Sequence, residues 1–411
     1  MTEPPLNKSR ILLGVTGGIA CYKSADLCRR LIKAGAEVQV IMTHSATEFV
    51  APLTFETLSG RPVYLDMFAQ DRAWEIEHIS FARWGDVLAI APATANVIAK
   101  MASGLADDPL TTTVLAFRGP VVVVPAMNTA MWEHAQTREN IEKLRARGVR
   151  IVEPEAGNLA CGEEGAGRLP DAEKIIRAIE TALVESRASG PLSGKKVLIT
   201  AGPTVEPIDP VRFLSNPSSG RMGFALAAEA HRRGAEVTLV AGPTQLEPPA
   251  RLAKVVGVRT TREMRDAVLA ELPQQDICVF CAAAADFAPE SPAAEKIKKE
   301  QAGDAATLKL VRTPDIAKEA AAGRKPGQIF VGFAAETSNL VEHARAKMQA
   351  KGFDVVVANE VSQENPAFAA TDNAVTLLAR SGATMDVPRT AKEELAARIW
   401  DFVLENAPIG G

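Results

Sequence analysis

Two stretches far apart in the chain share one grammar, and that repetition constrains what the chain can fold into. The first is RILLGVTGGIACYKSADLCRRLIKAGAEVQVIMT, beginning at Arg10; the second, from Lys195 to Gly242, is KKVLITAGPTVEPIDPVRFLSNPSSGRMGFALAAEAHRRGAEVTLVAG. Each opens on a short apolar run, as a buried parallel strand requires; in the second this is Val197 to Thr200. A glycine-rich polar loop follows, then a helix-period segment, which in the second stretch spans Met222 to Arg233 with Gly234 at its C-terminal cap. Another apolar run, Val237 to Ala241, completes the unit. Gly35-Ala36-Glu37-Val38 and Gly234-Ala235-Glu236-Val237 are the same four letters. Each stretch is therefore a Rossmann-like βαβ opening whose loop faces a helix N-terminus, a place suited to phosphate. The chain restarts near residue 190, so the expected domains are 1–189 and 190–411.

Size agrees with two domains, since 411 residues exceed what one ordinary core holds together. With 47% hydrophobic residues, both halves can bury a core. A net charge of −4 argues against a general nucleic-acid binder, which needs a basic excess. There is no apolar run long enough to span a membrane, and MTEPPLNKSR carries no hydrophobic signal core. The five cysteines are unevenly spaced and give no disulfide framework, which fits a reducing cytoplasm.

Alternation continues along the first half. Strands are expected at Asp86 to Ala91, Pro120 to Val124 and Val149 to Val152. Helices are expected over Ile98 to Ala102, Pro109 to Phe117, Thr137 to Arg147 and Asp171 to Arg187. This is the pattern of an α/β layer on a mostly parallel sheet. Residues 153–170 have four glycines and no periodicity, and a loop of that length in a compact domain is usually functional. In the second half, strands are expected at Ile277 to Cys281, Ile329 to Gly332 and Asp354 to Ala358. A hairpin follows around Arg380-Ser381-Gly382, and a last helix over Lys392 to Leu404. Residues 288–303, rich in Pro, Ala and Lys, have poor core potential.

The loops carry the candidate chemistry. Gly14-Val15-Thr16-Gly17-Gly18 is not GxGxxG, and the next strand ends in Met42-Thr43 rather than an acid for a ribose hydroxyl; both count against NAD. The amides of Gly17, Gly18 and Ile19 suit a mononucleotide phosphate, or form a tight turn with no ligand; the loop alone leaves both open. Pro92-Ala93-Thr94-Ala95-Asn96 puts a hydroxyl and an amide at the C-terminal edge of a sheet. Pro125 to Trp132 (PAMNTAMW) sets methionines and a tryptophan beside Asn128, either to clamp a flat ring or simply as core. His78 stands just before a strand, catalytic or merely structural. Cys278 and Cys281 have CxxC spacing but lie in an apolar strand, where residues three apart face opposite sides, so a metal or redox dithiol is not expected.

Taken in order, GxTGGIAxYK, the His78-Ile79 pair, PATAN, PAMNxxMW and ACGxxGxGR at Ala160 to Arg168 resemble the flavin-containing cysteine decarboxylases. AGPTxEPIDPVRFLSNPSSGRMG, AAAADF, EKIKK, TPDIA and VGFAAET resemble the phosphopantothenate–cysteine ligases. Together the ordered set is similar to the bacterial bifunctional coenzyme A biosynthesis proteins over almost the whole chain. The resemblance implies a flavodoxin-like, FMN-dependent phosphopantothenoylcysteine decarboxylase domain followed by a CTP-dependent ligase domain. It also implies homo-oligomers of trimeric decarboxylase and dimeric ligase domains.

For the first domain the resemblance implies His78 as acid/base near the substrate thiol, Asn128 as its orienting amide and Cys161 as proton donor. Gly17, Gly18, Ile19, Thr43, Pro92, Ala93, Thr94 and Asn96 would contact FMN. For the second, it implies an acyl-cytidylate made from CTP and 4′-phosphopantothenate, which cysteine then attacks. Lys296 would be the catalytic lysine, and Arg212 and Asn216 would contact the intermediate. Ser218, Ser219, Gly220, Cys281, Ala282, Asp286, Lys296, Thr313, Pro314, Asp315, Ile316, Phe333, Lys347 and Lys351 match the CTP site, with Mg²⁺ accompanying the nucleotide. Four positions depart from the family pattern: Val97, Asp107, Ala288 and Thr313. Competing readings are a nicotinamide-dependent oxidoreductase and a non-catalytic flavoprotein regulator; the missing fingerprint and the intact His78, Asn128 and Cys161 set disfavour them.

Overall fold

The structure is a computed structural model and describes residues 6–68, 77–158, 162, 164–249, 251–298, 307–336, 339–360 and 372–407. It divides into two compact units, Met1–Ser186 and Arg187–Gly411.

In the first unit the elements run β1 (Arg10–Val15), α1 (Tyr22–Lys33), β2 (Glu37–Met42), α2 (His44–Thr47), α3 (Pro52–Ser59), α4 (Glu77–Trp84), β3 (Val87–Ala93) and α5 (Ala95–Ser103). They continue with α6 (Pro109–Ala116), β4 (Val121–Pro125), α7 (Thr129–Glu133), α8 (Ala135–Ala146), β5 (Arg150–Ile151), β6 (Glu155–Asn158), β7 (Glu164–Arg168) and α9 (Ala172–Ala188). The first five strands form a parallel sheet in the order β2-β1-β3-β4-β5. The strand order therefore reverses between β1 and β3, and open α/β sheets bind ligands at the carboxyl ends of such a pair.

The apolar runs explain the layers. Along β1, Ile11, Leu13 and Val15 pack on one face with Leu27 and Leu31 of α1 and Ile175 and Ile179 of α9. Leu12 faces the other way, with Ile98, Leu110, Ile141 and Leu144, because successive strand side chains alternate. Burying each such leucine or isoleucine contributes roughly 1.5–3 kcal/mol. Helix α1 buries Ser24, Leu27, Cys28 and Leu31, a single face at helical spacing.

Three expectations for this unit need correction. Glu77 to Ser80 do not lead directly into a strand; they begin α4, and His78 lies in its first turn. Phe81, Ala82 and Trp84 turn that helix onto the core, a short apolar face easily mistaken for the approach to a strand. Residues 153–170 are not an unstructured loop, since β6 and β7 pair antiparallel from Glu155↔Arg168 to Asn158↔Glu164. Gly157, Gly165 and Gly167 hid that pairing, because glycine leaves no alternation of side chains to read. The Pro92-Ala93 pair, expected in a loop, belongs to the end of β3.

The second unit comprises β8 (Lys196–Ala201), β9 (Val205–Pro207), β10 (Phe213–Ser215), α10 (Arg221–Arg232), β11 (Glu236–Ala241), β12 (Lys254–Gly257), α11 (Thr261–Glu271), β13 (Ile277–Phe280) and β14 (Phe287–Pro289). It ends with β15 (Leu310–Arg312), α12 (Ile316–Ala322), β16 (Ile329–Glu336), α13 (Leu340–Lys351), β17 (Val355–Glu360), β18 (Asp372–Ala379), β19 (Thr384–Ala391) and α14 (Lys392–Asn406). Its main sheet has the order β12-β11-β8-β13-β16-β17-β18-β19. Strands β12 to β17 in that order are parallel, and the hairpin β18–β19 extends the sheet antiparallel. The reversal point here lies between β8 and β13. Val197 and Ile199 face α10 and α14, while Leu198 faces α11, α12 and α13. Trp400 of α14 is buried and donates its indole N–H to the Leu226 carbonyl at 3.0 Å.

Candidate functional sites at the two sheet edges

In the first unit, Thr16 ties the loop after β1 to the end of β3. Its hydroxyl donates to the Pro92 carbonyl at 2.8 Å and accepts from the Thr94 amide at 3.0 Å. Gly17 packs so closely on α2 that a Cβ there would stand 2.3 Å from the Ser45 Cβ, which fixes this turn as glycine. Thr94 caps α5 by accepting from the Val97 amide at 3.4 Å. Nearby, Thr43 ends the loop after β2 with its Oγ1 buried and lacking a hydrogen-bond partner among the described residues. A buried hydroxyl costs free energy until something bonds it. Ile19 and Tyr22 are 56% and 60% exposed, unusual for apolar side chains beside a glycine loop, and Asn96 is exposed.

The turn after β4 forms a second wall. Asn128 caps α7, its Oδ1 accepting from the Ala130 amide at 2.8 Å. The β6–β7 pair lies against this turn: the Met127 amide donates to the Gly167 carbonyl at 3.0 Å. Gly167 has φ +140°, and a Cβ on it would meet the Met127 carbonyl oxygen at 2.1 Å. Cys161 belongs to the connection between β6 and β7 and lies outside the described residues. Trp132, open between ring clamp and core, is core at 2% exposure, with the Arg138 guanidinium 4.5 Å from its ring centroid. His78 is half-buried on α4. Asp107, one of the departures, pairs with Lys100 at 2.7 Å, while Asp108 completes a capping box with Thr111. Burial pushes the Cys28 thiol up to about 11, so it is no nucleophile at neutral pH.

In the second unit the end of β8 and the loop before α10 are both stitched to the loop after β13. Thr200 Oγ1 accepts the Cys281 and Ala282 amides, each at 3.1 Å. Asn216 donates its side-chain amide to the Ala283 and Ala284 carbonyls, both at 3.1 Å. Ser218 Oγ accepts the Gly220 amide at 3.3 Å, and Gly220 opens α10 with no side-chain cap. An uncapped helix start leaves amide donors for an anion. Asp286 and Thr313 are brought together, the Thr313 amide donating to the Asp286 carbonyl at 3.0 Å. The Thr313 hydroxyl donates to the Ala285 carbonyl at 2.5 Å. Lys351 pairs with Asp315 at 3.0 Å.

Lys296 and Lys298 are both exposed, and Lys299 lies outside the described residues. Arg212 donates to the carboxylate of Asp209 through Nε at 2.9 Å and Nη2 at 2.5 Å. Cys278 and Cys281 point to opposite faces of the sheet, Cys278 with α11 and α12 and Cys281 with the α10 side. Burial pushes both thiols up to about 12. Among the described residues no group of three or more His, Cys, Asp or Glu side chains could hold a metal ion, and no helix is long and apolar enough to cross a membrane. Residues 2–184 match the family described as Flavoprotein, and residues 192–406 match the DNA/pantothenate metabolism flavoprotein C-terminal domain.

Fold and family matches thus define a two-part α/β flavoprotein. The chain belongs to the family of bifunctional coenzyme A biosynthesis proteins. It is 46% identical over 394 residues, 96% of each chain, to the Coenzyme A biosynthesis bifunctional protein CoaBC of Bacillus subtilis (strain 168). The solved C-terminal domain of a CoaBC is 38% identical, covering 53% of this chain and 97% of its own, with a TM-score of 0.44. The FMN-dependent cysteine decarboxylase SpaF is 36% identical, covering 44% of this chain and 98% of its own, with a TM-score of 0.39.

Proposed function

We propose that the second unit joins 4′-phosphopantothenate to cysteine at the expense of CTP, and that the first unit decarboxylates the product to 4′-phosphopantetheine with FMN. The observation that carries the decarboxylase half is the seating of the β6–β7 pair on the Asn128 turn through Gly167 and Met127, because it joins the chain segment bearing Cys161 to the orienting amide.

The residues fit a flavin mononucleotide. The glycine turn at Gly17 and Gly18 with Ile19 would receive its phosphate, and the buried Thr43 hydroxyl would gain the partner it lacks among the described residues. Pro92, Ala93, Thr94 and Asn96 would border the ring. Bound FMN would supply the two-electron oxidation of the substrate thiol and its reversal after CO₂ has left. His78 takes the thiol proton. Asn128, with Oδ1 engaged by Ala130, orients the substrate carboxylate through its NH₂ group and adds no like charge. Cys161 returns the proton that completes the product.

For the ligase, the uncapped start of α10 with Ser218, Ser219 and Gly220 binds phosphate, and Lys296 offsets the charge that develops as pyrophosphate leaves. Asp286, Thr313 to Ile316, Phe333, Lys347 and Lys351 hold the nucleotide, and Cys281 and Ala282 border it through the backbone. Mg²⁺ enters with the triphosphate. Trimeric flavin units would cover Ile19 and Tyr22, and dimeric ligase units would cover the exposed Val211 and Phe213. Such a protein works in the cytoplasm. The test is a purified full chain: it should be yellow and release pyrophosphate beyond one equivalent per site only when CTP, 4′-phosphopantothenate and cysteine are all present. A colourless protein, or continuous pyrophosphate release in the absence of cysteine, contradicts the assignment.

A further inference from the structure

We infer that Asp209 is a positioning residue for the ligase reaction: together with Arg212 it clasps the main chain of Ile297 and so sets where Lys296 and Lys298 stand. The inference rests on the ligase assignment above. The Asp209 side chain is fully buried (0% exposed), whereas that of Arg212 is 48% exposed. Its Oδ1 accepts the Val211 and Arg212 amides, each at 2.8 Å, closing a turn of its own. Its Oδ2 accepts Arg212 Nε and Nη2 and also reaches across 88 residues of sequence to the Ile297 amide at 3.2 Å. Arg212 Nη2 then donates to the Ile297 carbonyl at 2.8 Å. Both main-chain polar groups of Ile297 are thereby held by one ion pair. Four residues earlier, the Ala293 amide donates to the Ile208 carbonyl at 2.9 Å, so the segment is pinned twice to the same turn.

The segment itself offers little else to hold it. From Ser291 to Lys298 no residue is buried, and a Pro/Ala/Lys stretch lacks the apolar contacts that order a chain. Charge-assisted bonds to its backbone are then what decide its position. Ile297 sits between the two lysines, so fixing its N–H and C=O fixes the roots of both side chains. The Arg212 guanidinium holds the Asp209 carboxyl far below the usual carboxylate range, which keeps the clasp charged throughout the neutral region. Arg212 also gains a role distinct from touching the intermediate: it connects the buried carboxylate to the lysine segment.

Asp209→Asn tests this, because the amide oxygen can still close the local turn while the charge that grips Arg212 is gone. In the full chain, backbone hydrogen exchange over 293–298 should accelerate. The kcat for CTP-dependent pyrophosphate release should fall by about 10- to 100-fold, as a misplaced catalytic group does, with the KM for CTP moving less than about threefold. Decarboxylation of supplied phosphopantothenoylcysteine, measured on the same sample, should be unchanged. Wild-type exchange, or faster exchange with wild-type kcat, overturns the proposal; so does a loss confined to the KM for CTP. Should Asp209→Asn fail to fold, Ile297→Pro removes the N–H that Asp209 accepts without touching the buried carboxylate, and the same outcomes decide. A wild-type chain that releases no pyrophosphate from CTP would refute the ligase assignment itself, a failure distinct from loss of the clasp, which the exchange measurement reads separately.

Discussion

Gly167 stands so close to Met127 that a single added carbon on it would lie 2.1 Å from the Met127 carbonyl oxygen, while the Met127 amide donates to the Gly167 carbonyl at 3.0 Å. This backbone contact is how the β6–β7 pair reaches the Asn128 turn. A carbonyl oxygen on main chain cannot swing aside as a side chain can. Gly167→Ala should therefore push the pair off the turn and cut decarboxylation by about 100-fold, with flavin absorbance and ligase activity retained. Product formation from supplied phosphopantothenoylcysteine measures it; wild-type turnover would show that the seating is dispensable.

On the proposed reading, in which both act on the substrate, His78→Asn and Asn128→Ala should each abolish decarboxylation while the protein stays yellow. Cys161→Ser should stall at an oxidised product. Mass spectrometry of the reaction mixture separates these outcomes, and full conversion to 4′-phosphopantetheine by the serine variant would mean another group supplies the proton.

Thr43→Val removes a buried hydroxyl that has no hydrogen-bond partner among the described residues and replaces it with a group of the same shape. The flavin-free protein should then be as stable as wild type or more so, since an unsatisfied polar group is lost. Affinity for FMN should fall by about 2- to 10-fold, the worth of one hydrogen bond. Fluorescence titration of the apoprotein with FMN reads this directly; unchanged affinity would remove Thr43 from the site.

His231 provides a pH prediction. Burial, reinforced by the positive charges of Arg187 and Arg251, lowers its pKa from the ordinary 6.5 to about 4. The unfolded chain takes up this proton as pH falls through about 6.5, and the folded chain resists until about 4. Stability from this residue is thus fully present above 6.5, declines as pH drops toward 4, and changes no further below it. His231→Gln should flatten the fall in Tm of the second unit across that window. Calorimetric scans of both proteins at several pH values test it; parallel curves would contradict it.

Much of the fold was legible because buried parallel strands announce themselves as unbroken apolar runs; Val197 to Thr200 and Val237 to Ala241 needed no partner to be read. What escaped was structure written in glycine or in distance. The β6–β7 pair is glycine-rich, so no side-chain period marks it. Helix α11 carries a capping box, Thr260 with Glu263, a signal that apolar spacing alone does not weigh. Candidate side chains were recognised by their motifs, but Thr16 and Asp209 were not singled out, because their partners Pro92 and Ile297 lie 76 and 88 residues away. Only the folded chain brings them together.

The most direct test of two separate chemistries on one chain follows CO₂ and pyrophosphate together in the full-length protein and in Lys296→Gln. Wild type, given 4′-phosphopantothenate, cysteine and CTP with Mg²⁺, should release the two in equal amounts. Lys296→Gln should release neither from that mixture, yet should produce CO₂ at the wild-type rate once phosphopantothenoylcysteine is supplied. Loss of CO₂ release from the supplied intermediate as well would contradict the division of labour between the two units.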